Sequence, residues 1–110
     1  MNKNIKMLHE QLIKANLNLS ERLGKTKTKG DAEAILNEMQ EINHRVMLAG
    51  RFLFKKSSAE IDKNTQPVLD ACADLDQAMK KIEKISDLIQ AVGKALTKVD
   101  EALDKLKLIL

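Results

Sequence analysis

Apolar residues recur along this chain at alternating spacings of three and four. Ile5, Leu8, Leu12, Ala15 and Leu19 follow 3-4-3-4, which lines one face of an amphipathic helix. The spacing predicts a first helix over about residues 3–23, closed by Gly24 in a left-handed cap position. Residues 24–30 read as a basic, polar loop, because Lys and Thr alternate there and Gly30 ends the run. Ile35, Met39, Ile42, Val46, Ala49 and Leu53 then recur at 4-3-4-3-4. They predict a second helix over about residues 31–56, with Asp31 and Glu33 near its positive end. Residues 46–54 are apolar nearly all round, and a helical segment of that kind is usually covered on more than one side. Ser57 and Glu60 have the spacing of a capping box, so a short turn starts there unless the second helix runs on to about Asn64.

Pro67 suits the first turn of a helix. Beyond it Ile85, Ile89, Val92, Leu96, Val99, Leu103, Leu106 and Leu110 keep 4-3-4-3-4-3-4 without a miss. This heptad fixes the a and d positions, and Leu88, Ala95, Ala102 and Ile109 add an apolar g row. The seam is wider than a two-stranded zipper and suits a bundle. Cys72, Leu75, Met79 and Ile82 form a similar stripe upstream. The two stripes meet through a 3-3 step at Met79, Ile82 and Ile85, which rotates the seam about the helix. Gly93 is the only glycine in this stretch, and a lone glycine does not make a turn. The pattern therefore predicts one long helix over about residues 67–110.

The expected fold is all-α: an antiparallel hairpin of the first two helices packed on a long C-terminal helix, a three-helix bundle with coiled-coil character. The alternative is a four-helix bundle with a break near Gly93. Residues 1–110 form one helical domain in either case.

Lengths turn this fold into a functional expectation. Residues 67–110 as one helix span about 66 Å, against about 39 Å for the second helix. Some 25 Å would project past the hairpin, carrying Leu96, Val99, Leu103, Leu106, Ile109 and Leu110. Leaving this stretch wet would forgo on the order of 10 kcal/mol. These six residues are therefore the candidate interaction site. A second copy of the chain, in a homodimer or other homo-oligomer, is the expected occupant, and a partner protein's helix is the other. The function expected is a non-enzymatic protein–protein interaction module with an adaptor, chaperone-like or assembly role.

Composition narrows the picture. The chain has 110 residues, 44% apolar and 2% aromatic, with Phe52 and Phe54 the only aromatics and Cys72 the only cysteine. A β-sandwich or barrel needs β-branched and aromatic strands with many turns. A disulfide scaffold needs several cysteines. Disorder needs fewer apolar residues.

The net charge is +3, but the basic excess sits in the first thirty residues. There Arg22, Lys25, Lys27 and Lys29 are candidate anion contacts. They support an alternative function, electrostatic binding to nucleic acid or an anionic membrane surface. Nucleic acid is the less expected ligand, since neither stacking aromatics nor a base-reading helix is evident.

Catalytic chemistry is sparse, and no enzyme activity, cofactor or metal is expected. Glu41 and His44 have the Glu-x-x-His spacing of di-iron bundles, but no second such motif follows, and the heptad places both outward. Gly24, Lys25 and Thr26 match only the end of a phosphate-binding loop, with Leu19 where its first glycine belongs. Cys72 sits on an apolar stripe without a neighbouring His and reads as a core residue.

Met7, Ile13 and Leu17 lie off the main stripe of the first helix and suggest a second contact surface. Residues 1–10 carry charges where a signal peptide would be apolar. The longest apolar run, residues 46–54, is far short of the roughly 20 needed to span a bilayer. A cytoplasmic location without a transmembrane segment is expected, with leaderless export open.

Overall fold

The structure is a computed structural model, and it describes residues 3–54 and 66–109, with Ile109 described for its backbone alone. Four helices form among these residues: α1, Lys3–Leu23; α2, Lys29–Phe52; α3, Gln66–Lys81; and α4, Ile85–Ile109. α1 packs beside α2 and α3, and α4 completes the bundle beside the same two helices. No strand occurs among the described residues. No described helix is long and apolar enough to cross a membrane.

α1 matches its expected bounds and buries Ile5, Leu8, Leu12, Ala15 and Leu19, the residues of its 3-4 stripe. Gly24 does follow α1, where its N–H reaches the Ser20 carbonyl at 3.3 Å. It does so without the left-handed backbone expected of it, because no described glycine has a positive φ. α2 begins two residues before its expected start. Thr28 caps it, its hydroxyl accepting from the Asp31 N–H at 3.2 Å. A threonine oxygen satisfies an orphan donor there, which Gly30 could not do. The capping-box reading at Ser57 and Glu60 lies outside the described residues.

The principal correction concerns the C-terminal half. The single helix over 67–110 is divided at residues 82–84, and Gly93 lies inside α4 rather than at a break. The division falls on the 3-3 step. A continuous helix would carry the stripes of Cys72 and Ile85 round to different sides. Turning back instead lets both enter one core: Val68, Ala71, Cys72, Leu75 and Ala78 from α3, and Leu88, Val92, Ala95, Leu96, Val99, Ala102, Leu103 and Leu106 from α4. No proline or glycine marks the turn.

Its carbonyls are satisfied from a distance. The Arg22 guanidinium donates from Nη1 to the Ile82 carbonyl at 2.6 Å and from Nη2 to the Met79 carbonyl at 3.0 Å. Asn18 Oδ1 accepts from Arg22 Nε at 2.8 Å and orients the group. Lys80 and Lys81 in the last turn of α3 complement the negative end of the helix dipole.

Two further ties hold the helices in register. Arg45 on α2 makes a two-pronged contact to Asp100 on α4, at 2.9 Å on each oxygen, and a third to Glu41 at 2.8 Å. Burial alone would lower the Arg45 pKa, but its hydrogen bonds to the Asp100 and Glu41 carboxylates outweigh it and raise it. Glu38 nearby is held above the ordinary carboxyl value, first by burial and then by Glu41. Lys98 on α4 meets Asp74 on α3 at 2.6 Å.

Candidate interaction surface

The residues expected to project from the C-terminal helix are inside the bundle. Leu96, Val99, Leu103 and Leu106 are all at most 3% exposed within the single chain. The expected 25 Å projection does not exist, because the turn at 82–84 shortens the last helix to 25 residues, about 38 Å. That length matches α2, at 24 residues and about 36 Å. The side chain of Ile109 and all of Leu110 lie outside what is described.

Three of the four candidate anion contacts, Arg22, Lys25 and Lys27, come together in one cleft, and Lys29 lies outside its lining. Arg22 lines the cleft at the α1–α2 loop, with three of its five N–H donors spent on Asn18, Met79 and Ile82. Lys29 sits at the start of α2, 3.8 Å from Glu33. Lys25 and Lys27 line an open cleft of about 600 Å³ where the α1–α2 loop meets the turn between α3 and α4. Asp31 and Glu83 share that cleft and offset two of its three cations, Arg22 included. Its hydroxyls are also engaged: Thr26 Oγ1 donates to the Leu23 carbonyl at 2.9 Å, and Thr28 caps α2.

No other sequence candidate forms a reactive centre. Glu41 and His44 are exposed, and Glu41 is held by Arg45. No group of three or more His, Cys, Asp or Glu that could hold a metal occurs among the described residues. Cys72 is buried in the core, and desolvation pushes its thiol from the ordinary 9.0 to about 11. A thiol so placed carries little thiolate at neutral pH.

The outer face of the α1–α2 hairpin is different. On α1, Ile13, Asn16, Leu17 and Ser20 share one side. On α2, Leu36, Met39, Asn43, Val46 and Gly50 follow at 3-4-3-4, a second face beside the core stripe of Ile35, Ile42 and Ala49. The antiparallel helices bring the two sides together. Ile13, Asn16, Leu17, Ser20, Met39, Asn43 and Val46 line a groove of about 310 Å³ with no charged residue in its lining.

In its lining Leu17 is 62% exposed and Ile13 39%; elsewhere on the same hairpin Met47 is 59% exposed, Leu36 46% and Phe54, at the end of the hairpin, 81%. The Asn16 side-chain oxygen is buried beneath the groove and has no hydrogen-bond partner. An unpaired buried carbonyl of this kind costs about 1–3 kcal/mol.

Ile13 and Leu17 were visible in the sequence as off-stripe apolars, and so was the all-round apolar character of residues 46–54. Met7 belongs to neither the groove nor its rim. Leu36, Met39, Asn16 and Asn43 gave no signal on their own, because their side of α2 becomes a surface only once α1 lies beside it. Comparison with protein-family models, curated proteins and solved structures found no match to this chain.

Proposed function

We propose that this chain is a non-enzymatic protein–protein interaction module, and that the outer face of the α1–α2 hairpin is its docking surface. One observation carries the reading: Ile13, Leu17, Leu36, Met47 and Phe54, all large, apolar and exposed, gather on the α1–α2 hairpin, with Ile13 and Leu17 in the lining of an uncharged groove. Singly exposed apolar residues are ordinary. Several on one hairpin, two of them lining a groove, are the signature of a surface that another protein covers.

The C-terminal helix supplies the core instead. Its apolar face is spent inside the four-helix arrangement, which leaves the hairpin face free for an adaptor, chaperone-like or assembly role. The electrostatic alternative rests on Arg22, Lys25 and Lys27, in a cleft that also holds two carboxylates, with Lys29 outside its lining.

Site-specific photo-crosslinking in the native host tests the proposal. A photoreactive residue at Leu17 or Met47 is expected to give discrete protein adducts, and one at Gln77 on the opposite hairpin none. Equal adducts from both faces, or none from Leu17 and Met47, would overturn it.

A further inference from the structure

The groove between α1 and α2 sets two demands on its occupant. Ile13, Leu17, Met39 and Val46 ask for apolar surface, while Asn16, Ser20 and Asn43 place amides and a hydroxyl in the same lining. A purely aliphatic helix would bury those polar groups without partners. A charged one would bury an ion without a counter-ion. The matching occupant is apolar, uncharged and furnished with amides at its centre. The face itself has that chemistry, and an asparagine side chain both donates and accepts.

We propose that the α1/α2 face pairs with the same face of a second copy of this chain in a two-fold homodimer, an inference that rests on the docking surface assigned above. α1 and α2 run antiparallel at similar height. A two-fold axis parallel to them therefore sets α1 of each copy against α2 of the other. Asn16 of one copy then meets Asn43 of its mate, twice, and Ile13 and Leu17 meet Met39 and Val46.

The flanking charges permit the approach. Lys6 and Glu10 beside the groove on α1 pair with each other at 3.9 Å. Lys29 and Glu33 do the same on α2 at 3.8 Å. Each of these pairs brings no net charge to the approach of a second copy. The area is sufficient as well: a face about 36 Å long and about 20 Å wide offers roughly 700 Å² per copy, close to the ~800 Å² per partner of a stable interface.

Sedimentation of the purified full chain from about 1 to about 100 μM, the weak limit of useful association, decides the matter. A species of twice 12.3 kDa is expected. Leu17→Glu is expected to weaken it by about tenfold or more in dissociation constant, with helicity by circular dichroism unchanged. Asn43→Asp, at an exposed position, provides a second variant whose folding is not at risk. It is expected to weaken the dimer at neutral pH and to restore it when the new carboxyl is protonated. Gln77→Glu, on the α3/α4 side, is expected to leave the dimer intact.

A wild-type chain monomeric throughout the range overturns the proposal, as does a dimer indifferent to both Leu17→Glu and Asn43→Asp. A monomeric chain that still gives discrete foreign adducts from Leu17 removes the second copy and leaves the docking face. Loss of both removes the docking face as well.

Discussion

The two hairpins of this bundle have similar helices and opposite exteriors. Six of the seven large apolar side chains exposed among the described residues belong to the α1–α2 hairpin, and only Leu108 belongs to α3–α4. Each hairpin has a groove of about 300 Å³ along its outer side. That between α3 and α4 is lined by Ala78, Ala91 and Ala95 with Asp74, Lys81 and Lys94, and the Lys98–Asp74 ion pair bridges the same two helices. That between α1 and α2 has no charged residue in its lining. Small residues let α3 and α4 approach closely, and charged ones finish their surface. α2 instead carries two apolar faces and has a neighbour within the chain for only one. The difference teaches that hydrophobic content does not locate a contact surface here. α4 has the cleanest apolar pattern in the chain and buries it from Leu88 to Leu106, with Leu108 exposed, whereas the less regular α2 has more surface left over.

The strongest way to break the comparison is to charge the inward stripe of α4. Leu103→Asp with Leu106→Asp places two carboxylates where there is at most 1% exposure. Each buried charge lacks a partner, and together they are expected to exceed the roughly 5–15 kcal/mol that holds a domain together. Circular dichroism is expected to show cooperative unfolding lost. A smaller but fully helical species would instead mean that these residues face another chain.

The joint between the hairpins comes next. Arg22→Gln removes two donors to the carbonyls closing α3 and is expected to cost about 2–3 kcal/mol in urea denaturation. Changing Lys25 and Lys27 to Gln is expected to cost less than about 0.5 kcal/mol each. Equal effects would show that the joint does not depend on the Arg22 cap.

A pH titration probes the interior of the second hairpin. The Cys72 thiol has its pKa raised to about 11 by burial, so the folded state retains a proton that the unfolded state releases near the ordinary 9.0. Stability is therefore present below about pH 9 and is lost as pH rises toward about 11. Cys72→Ala is expected to flatten this slope relative to wild type, as followed by the thermal midpoint at each pH.

The smallest effect sits on the outer side of α4. A Cβ at Gly93 would meet nothing within 4 Å. Gly93→Ala is expected to stabilise by up to about 1 kcal/mol through helix propensity alone, which the thermal midpoint would register. A destabilised variant would mean that another chain approaches α4 closely at this point.

The fold was legible wherever burial follows local spacing. α1 has the expected bounds and core because every residue of its stripe meets one partner layer. The course of residues 79–85 was legible only in part. The 3-3 step announced a rotation of the seam, but no proline or glycine announced a turn. What decides it is the shared burial of two stripes and an arginine about sixty positions earlier in the chain.

The candidate surface was half legible for a similar reason. Ile13 and Leu17 stood out on their own helix. Leu36 and Met39 read as ordinary members of α2 until α1 was set beside them. Leu103 and Leu106 lie inside the chain rather than on a projecting end, because the unbroken helix length expected from the spacing is divided at residues 82–84.

Arg22 has a consequence for the order of folding. Contacts within each hairpin join residues close along the chain and form early, since short loops close at small entropic cost. The Arg22 bonds to Met79 and Ile82 join positions 57 and 60 apart, so they appear only when one hairpin docks on the other. An interaction absent from the transition state governs how fast the native state opens rather than how fast it forms. Removing Arg22 is therefore expected to shorten the lifetime of the docked bundle while leaving the rate of assembly nearly unchanged, as stopped-flow unfolding and refolding would read.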